Sequence, residues 1–80
     1  MVIKFDSGFE IIRFSDSAYE KITVEIQYKG EQLVHINQDQ GFQNLEIEIL
    51  TDYIEPSFVP KFMLSDFLYA LSKAQKLLLN

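Results

Sequence analysis

The chain contains one histidine and no cysteine, so little acid–base or nucleophilic chemistry is open to it. His35 lies in a strand-like segment on the same predicted face as Glu25. These two residues are the best candidates in the sequence for a catalytic pair. A serine triad would also need a serine on a sharp elbow beside the histidine, and the sequence offers none there. We therefore predict that His35 is a half-exposed strand residue and that the protein is not an enzyme.

Other ligand-binding motifs are also missing. Gly8, Gly30 and Gly41 are isolated in predicted turns, so they do not form a phosphate-binding loop. A single histidine with scattered carboxylates is not a clustered set of metal ligands, and residues 38–41 lack the spaced acidic positions of a calcium loop. We expect no cofactor and no bound metal.

The carboxylates are the remaining candidates for a functional surface. Glu46 and Glu48 share the outer face of one predicted strand, but an open sheet face provides no cleft that would raise the pKa of one carboxyl for catalysis. This face is either the solvated side of an antiparallel sheet or an acidic recognition surface. The candidate partner-binding residues are Glu25, Glu31, Glu46, Glu48, Asp52 and Glu55.

The overall charge favours a particular kind of partner. Seven basic and twelve acidic residues give a formal charge of −5 and an isoelectric point near 4.6. This charge opposes binding to nucleic acid or to anionic lipid. Either it serves only to keep the protein in solution, or it matches the surface of a basic protein partner.

The length and the first residues limit the organisation of the protein. Eighty residues form a single domain, 1–80, whose small core leaves a homodimer possible. Residues 1–6 lack the pattern of a signal peptide, and no apolar run approaches the ~20 residues of a membrane span. We predict a cytoplasmic protein that does not bind membranes.

Hydrophobic periodicity predicts an α+β fold, with an antiparallel meander sheet of four to five strands covered on one face by a single C-terminal helix. The predicted strands are Val2–Phe5, Phe9–Phe14, Ile22–Gln27, Glu31–Asn37 and Leu45–Leu50, and the predicted helix is Leu64–Leu79. The predicted core consists of Ile22, Val24, Ile26, Val34, Ile36, Leu45, Ile47, Ile49, Phe67, Leu68 and Leu71.

Three details of this fold depend on local patterns. A three-residue loop, 28–30, would pair Val24 with Val34 and so match apolar residues across the hairpin. The strand Phe9–Phe14 has two mixed faces, so its orientation is open. In the segment 53–60, Ile54, Phe58 and Val59 either fold back onto the core or form an exposed patch.

Several short motifs resemble those of a known group of small bacterial proteins. The motifs are Gly8-Phe9-Glu10-Ile11, Tyr28-Lys29-Gly30-Glu31, Ile36-Asn37-Gln38, Leu45-Glu46-Ile47-Glu48 and Asp66-Phe67-Leu68-Tyr69-Ala70-Leu71. In this arrangement the chain is similar to immunity proteins of contact-dependent growth inhibition and related polymorphic toxin systems. The resemblance implies tight, non-catalytic binding to a toxin nuclease domain and assigns no particular contact residues.

The sequence thus leads to two hypotheses about function. The first is an immunity-type inhibitor that occludes a basic toxin domain. The alternative is a homo-oligomeric structural or adaptor protein, in which an exposed first or last strand pairs edge to edge.

Overall fold

The computed structural model describes residues 1–79 and has the predicted α+β fold. Five strands form one antiparallel sheet in the order β1-β2-β3-β4-β5, and one helix follows them. None of the helices in this part of the chain has the length and apolar content needed to cross a membrane. The elements are β1 Val2–Lys4, β2 Phe9–Phe14, β3 Thr23–Tyr28, β4 Glu31–Asn37, a short 3₁₀ turn Phe42–Asn44, β5 Glu46–Ile49 and α1 Leu64–Leu78.

The β3–β4 hairpin turns through two residues, so the predicted three-residue loop is wrong. Tyr28 pairs with Glu31, and Lys29 and Gly30 between them have φ angles of 49° and 85°. Positive φ at both positions is typical of a type I′ turn, whose twist matches that of the flanking strands.

A bulge then restores the apolar register that this turn alone would lose. The pairing shifts by one residue between Ile26 and Gln27, leaving Leu33 as the extra residue on β4. Ile36 therefore pairs with Val24, and Val34 with Ile26. The predicted pairing of Val24 with Val34 is wrong, because the register is corrected inside the strands rather than in the loop.

Helix α1 packs on β2 and β3. Ala70, Ala74 and Leu78, which recur every four residues, are its buried positions. The two alanines let the helix lie close to the sheet, where Phe9, Ile11, Val24 and Ile26 are fully buried. Phe9–Phe14 thus directs Phe9 and Ile11 toward the helix, which resolves its orientation.

The predicted core is wrong at one position of the helix. Leu68 lies about a third of a turn from Ala74, and it is 54% exposed rather than in the core. Arg13 helps to fix the helix, because its Nε donates a 2.9 Å hydrogen bond to the carbonyl oxygen of Leu77. Phe67 and Leu71 are partly buried against the core, in agreement with the prediction.

Strand β5 also departs from the predicted core. Ile47 and Ile49 are 53% and 72% exposed, although they pair with the buried residues Ile36 and Val34. A helix is roughly 10–12 Å wide and strands are about 4.8 Å apart, so one helix covers only two or three strands. The apolar face of β5 lies beyond it. Leu45, which precedes β5, remains partly buried.

The segment 53–60 divides between the two predicted alternatives. Tyr53 and Phe58 pack against the core, with their ring centroids 5.0 Å apart. Ile54 and Val59 point outward, so they do not fold back onto the core. Two residues beyond, Phe62 contacts Phe9, at 4.9 Å between centroids, which closes this end of the core.

Candidate partner-binding face

The outer face of the sheet, opposite α1, carries the single histidine, and His35 is buried there. It is 6% exposed, so the prediction of a half-exposed residue is wrong. The rings of Tyr19 and Phe14 lie 5.2 and 5.6 Å from the imidazole, centroid to centroid. Tyr19 belongs to the β2–β3 connection, residues 15–22, which therefore lies over part of the face expected to be solvated.

Hydrogen bonds to the turn after β4 fix this connection. The carboxylate of Asp39 accepts hydrogen bonds from the backbone N–H groups of Glu20 and Lys21, both at 3.1 Å. The side-chain amide of Gln38 donates to the carbonyl oxygen of Ile22 at 2.9 Å. Because the partners are 16–19 residues apart, the placement of Tyr19 over His35 depends on the folded sheet.

The enclosed imidazole is close to carboxylates on three elements. Its Nε2 lies 3.8 Å from Oδ2 of Asp16, beyond hydrogen-bond distance, and this buried nitrogen has no hydrogen-bond partner among residues 1–79. On the sheet, His35 pairs with Glu25 on one side and Glu48 on the other. The predicted Glu25–His35 neighbours are thus brought together, but the rings around His35 leave little room for a substrate.

The charges of four carboxylates act on the hydroxyl of Tyr19. Partial burial and, after it, the charges of Glu48, Asp16, Glu46 and Asp39 raise the pKa of Tyr19 above its ordinary value of 10.0. Each of these charges disfavours the phenolate, because like charges repel. Two of these carboxylates flank His35, Asp16 from the β2–β3 connection and Glu48 from β5, so negative charge of this side of the sheet is gathered around that residue.

Glu46 and Glu48 are the most accessible members of this cluster. Every residue of β5 is exposed, and the two glutamates alternate with Ile47 and Ile49 along the last strand of the sheet. Glu25, one strand further in than His35, is only partly exposed and accepts a 2.7 Å hydrogen bond from Nε2 of Gln27. We call Asp16, Glu25, Asp39, Glu46 and Glu48 the acidic outer face.

The other three predicted site residues lie elsewhere. Glu31 is buried, and its two carboxylate oxygens accept hydrogen bonds from the N–H groups of Ile54 and Glu55, both at 2.7 Å. It holds the segment after β5 rather than facing a partner. Since Glu31 is four residues before His35 on β4, it lies about 13 Å along the strand from the acidic outer face.

Asp52 and Glu55 are exposed in the segment that Glu31 holds. The carboxylate of Glu55 accepts hydrogen bonds from the hydroxyl and the backbone N–H of Ser57, at 2.8 and 3.2 Å. These bonds, the hydroxyl first, lower the pKa of Glu55 below its usual value of 4.5. The six predicted residues therefore form two separate groups.

Sequence reasoning missed Asp16 and Tyr19 as neighbours of Glu46 and Glu48. The local signal for Asp16 is its own turn, in which Oδ1 accepts a 2.9 Å hydrogen bond from the N–H of Ala18. This pattern predicts a turn without showing which strand the turn approaches. Among residues 1–79, no group of three or more His, Cys, Asp or Glu side chains is arranged to hold a metal ion.

On the helix side, a groove of about 240 Å³ separates β5 from α1. Its lining is mainly apolar: Ile36, Leu45, Ile47 and Leu71, with Glu46 and Gln75 at its rim. The groove is the uncovered part of the same face on which the helix packs. β5 thus has an acidic row on one side and an apolar groove on the other.

In comparisons with known proteins, no protein family, no curated protein and no solved structure matches this chain.

Proposed function

We propose that this is a non-catalytic binding protein whose acidic outer face engages a basic protein, in the manner of an immunity-type inhibitor occluding a toxin domain. The observation that carries the proposal is the exposed row of Glu46 and Glu48 on the last strand. Glu48 pairs with His35, and the carboxylate of Asp16 lies 3.8 Å from the imidazole of that histidine. A concentrated negative potential of this kind speeds encounter with a positively charged surface and fixes its orientation.

The enclosure of His35 supports a binding role over a catalytic one. A general base must come within hydrogen-bond reach of a substrate proton, and the rings of Tyr19 and Phe14 lie against this imidazole instead. The network around it orders the β2–β3 connection. An ordered, charged surface of this kind is suited to binding a partner without catalysing a reaction on it.

The test is capture and kinetics with a matched pair of charge-reversed variants. The double variant Glu46→Lys/Glu48→Lys should lose most of the association rate with the captured basic protein, and its rate should depend less on salt. The control Asp6→Lys/Asp52→Lys makes the same change in net charge at two exposed positions outside the acidic outer face. If both variants associate equally slowly, net charge rather than the acidic outer face determines binding, and the proposal fails.

The immunity-type form of the proposal has its own test in the neighbouring reading frame. We expect the frame immediately upstream to encode a toxin domain with a basic surface. Co-expression of that domain with the wild-type chain should restore growth, whereas co-expression with Glu46→Lys/Glu48→Lys should not. Growth inhibition that persists with the wild-type chain would contradict this form of the proposal.

A further inference from the structure

The two free edges of the sheet are β1 and β5. The backbone groups of an edge strand that point away from the sheet are unpaired, which makes the edge a template for another strand. β1 has three residues and carries Lys4. β5 has four exposed residues, Glu-Ile-Glu-Ile, with no lysine or proline, and its pairing with β4 contains no bulge. β5 is therefore the less protected edge.

The hydrogen-bond alternation of β5 shows which groups face outward. The N–H of Leu50 donates to the carbonyl oxygen of Leu33 at 2.8 Å, so this pair bonds toward β4. In antiparallel strands the bonded pairs alternate with unbonded ones, which places Glu48 and Glu46 in bonded pairs. The N–H and C=O groups of Ile47 and Ile49 consequently point out from the free edge.

The side chains of these same two isoleucines line the open helix side. Ile47 contributes to the groove against Leu71, and Ile49 continues the apolar row along the strand. A strand added at this edge would place alternate side chains over that apolar surface and the others beside Glu46 and Glu48. The free edge, the groove and the acidic row therefore favour an added strand in which apolar residues alternate with basic ones.

A second copy of β5 is a poor occupant by charge. If two copies paired antiparallel, with their helices on the same side of the joint sheet, the isoleucines would lie opposite isoleucines. The glutamates would then lie opposite glutamates, with Glu46 of one copy facing Glu48 of the other. Like charges directly opposite one another are destabilising, whereas opposite charges stabilise a cross-strand pair.

We propose that the edge of β5 receives an extended segment of a basic protein as a sixth strand, one that alternates apolar residues with lysine or arginine. The apolar residues contact Ile47 and Ile49, and the cations contact Glu46 and Glu48. The inference rests on the proposed function, since it specifies how the basic partner is bound. It adds a backbone contribution that charge attraction alone does not supply.

The test uses synthetic peptides of about eight residues, long enough for one strand. A peptide alternating lysine and valine should slow amide hydrogen exchange at Ile47 and Ile49. With the free peptide at roughly ten times its dissociation constant, the protection is about tenfold. A peptide alternating glutamate and valine, and a scrambled peptide with the same lysines and valines, should give no protection. Protection by the acidic peptide, or none by the basic one, would overturn the inference.

Proline substitution at each edge separates strand addition from simple charge attraction. Ile49→Pro removes an outward N–H, while the pairs that bond toward β4 are left in place. The matched variant is Val2→Pro on β1, because the hydrogen bond from Arg13 N–H to Met1 O places the N–H of Val2 outward as well. Protection of the buried β3 amides shows that each variant is folded.

Ile49→Pro should abolish binding of the basic peptide, and Val2→Pro should leave it unchanged. Equal binding by both variants would overturn strand addition. If the basic protein is still captured through Glu46 and Glu48, the proposed function survives that result. Light scattering across a dilution series tests whether a second copy of the chain binds at this edge. A dimer that is abolished by Ile49→Pro would show that it does, and would overturn the proposal.

Discussion

Val24 and Ile26 in β3 alternate with polar residues in the same way as Ile47 and Ile49 in β5, and all four side chains lie on the helix side of the sheet. The first two are completely buried, and the second two are more than half exposed. The difference arises from the position of one helix, which packs on β2 and β3. The alternation of apolar and polar residues therefore identifies which face of a strand is apolar. The position of the helix decides which part of that face is buried in the core.

The comparison also separates stability from recognition. The covered half, which is the part of the sheet under α1, combines apolar burial with the aromatic contacts of Phe9, Phe62 and Phe67. The open half, which is the part of the sheet around β5, combines an apolar groove with a free edge and the acidic outer face. Exposed apolar area beside a polar rim is typical of a surface that binds a partner.

The largest expected effect comes from truncating one isoleucine in each half. Ile26→Ala should lower the free energy of unfolding by about 2–5 kcal/mol, because it leaves a cavity in a closed core. Ile49→Ala should cost less than about 1 kcal/mol, since that side chain is already 72% exposed. Urea denaturation of both variants measures the difference. Equal losses would mean that the two halves are packed alike.

A smaller loss of stability is expected from a change at Glu31, which holds the segment between β5 and α1. Glu31→Ala removes the acceptor for the N–H groups of Ile54 and Glu55, and should cost about 1–3 kcal/mol. Amide exchange at these two positions should accelerate more than at the core strands. Glu46→Ala, which removes an exposed carboxylate, is the control and should stay within about 0.5 kcal/mol. A global loss without local acceleration would show that Glu31 does not act on this segment.

The smallest effect concerns the electrostatics of the acidic outer face. Glu48→Gln should lower the pKa of Tyr19 toward 10.0, because it removes the largest of the charge contributions. Glu10→Gln, at a glutamate on the same face that pairs with Lys4 of the opposite edge strand, should leave that pKa unchanged. Ring resonances of Tyr19 followed by NMR between neutral and alkaline pH give both values.

The sign of the accompanying stability change follows from the same pKa. The folded chain holds the Tyr19 proton more tightly than the unfolded chain, so this contribution is present below pH 10. It is lost as the pH rises through the raised pKa. Glu48→Gln should reduce the loss. A pKa of Tyr19 that does not respond to Glu48 would remove this residue from the acidic cluster.

The candidate site was only partly predictable for reasons visible in its residues. Glu46 and Glu48 follow from alternation, which assigns them to one face without reference to the rest of the chain. The burial of His35 depends on Tyr19, which is carried over the sheet by hydrogen bonds to Asp39 between residues far apart in sequence. The different role of Glu31 depends on a segment 23–24 residues further along the chain.

The sequence by itself determined the kind of elements and the apolar faces of β3, β4 and β5, because these depend on periodicity within a few residues. Tertiary structure decided which apolar residues are buried: α1 presents Ala70 and Ala74 rather than Leu68 to the sheet, and its width leaves Ile47 and Ile49 uncovered. It also decided the hairpin register, since the bulge at Leu33 becomes favourable only when Val34 and Ile36 meet their partners on β3. Packing between distant segments sets these features, and no local pattern contains that information.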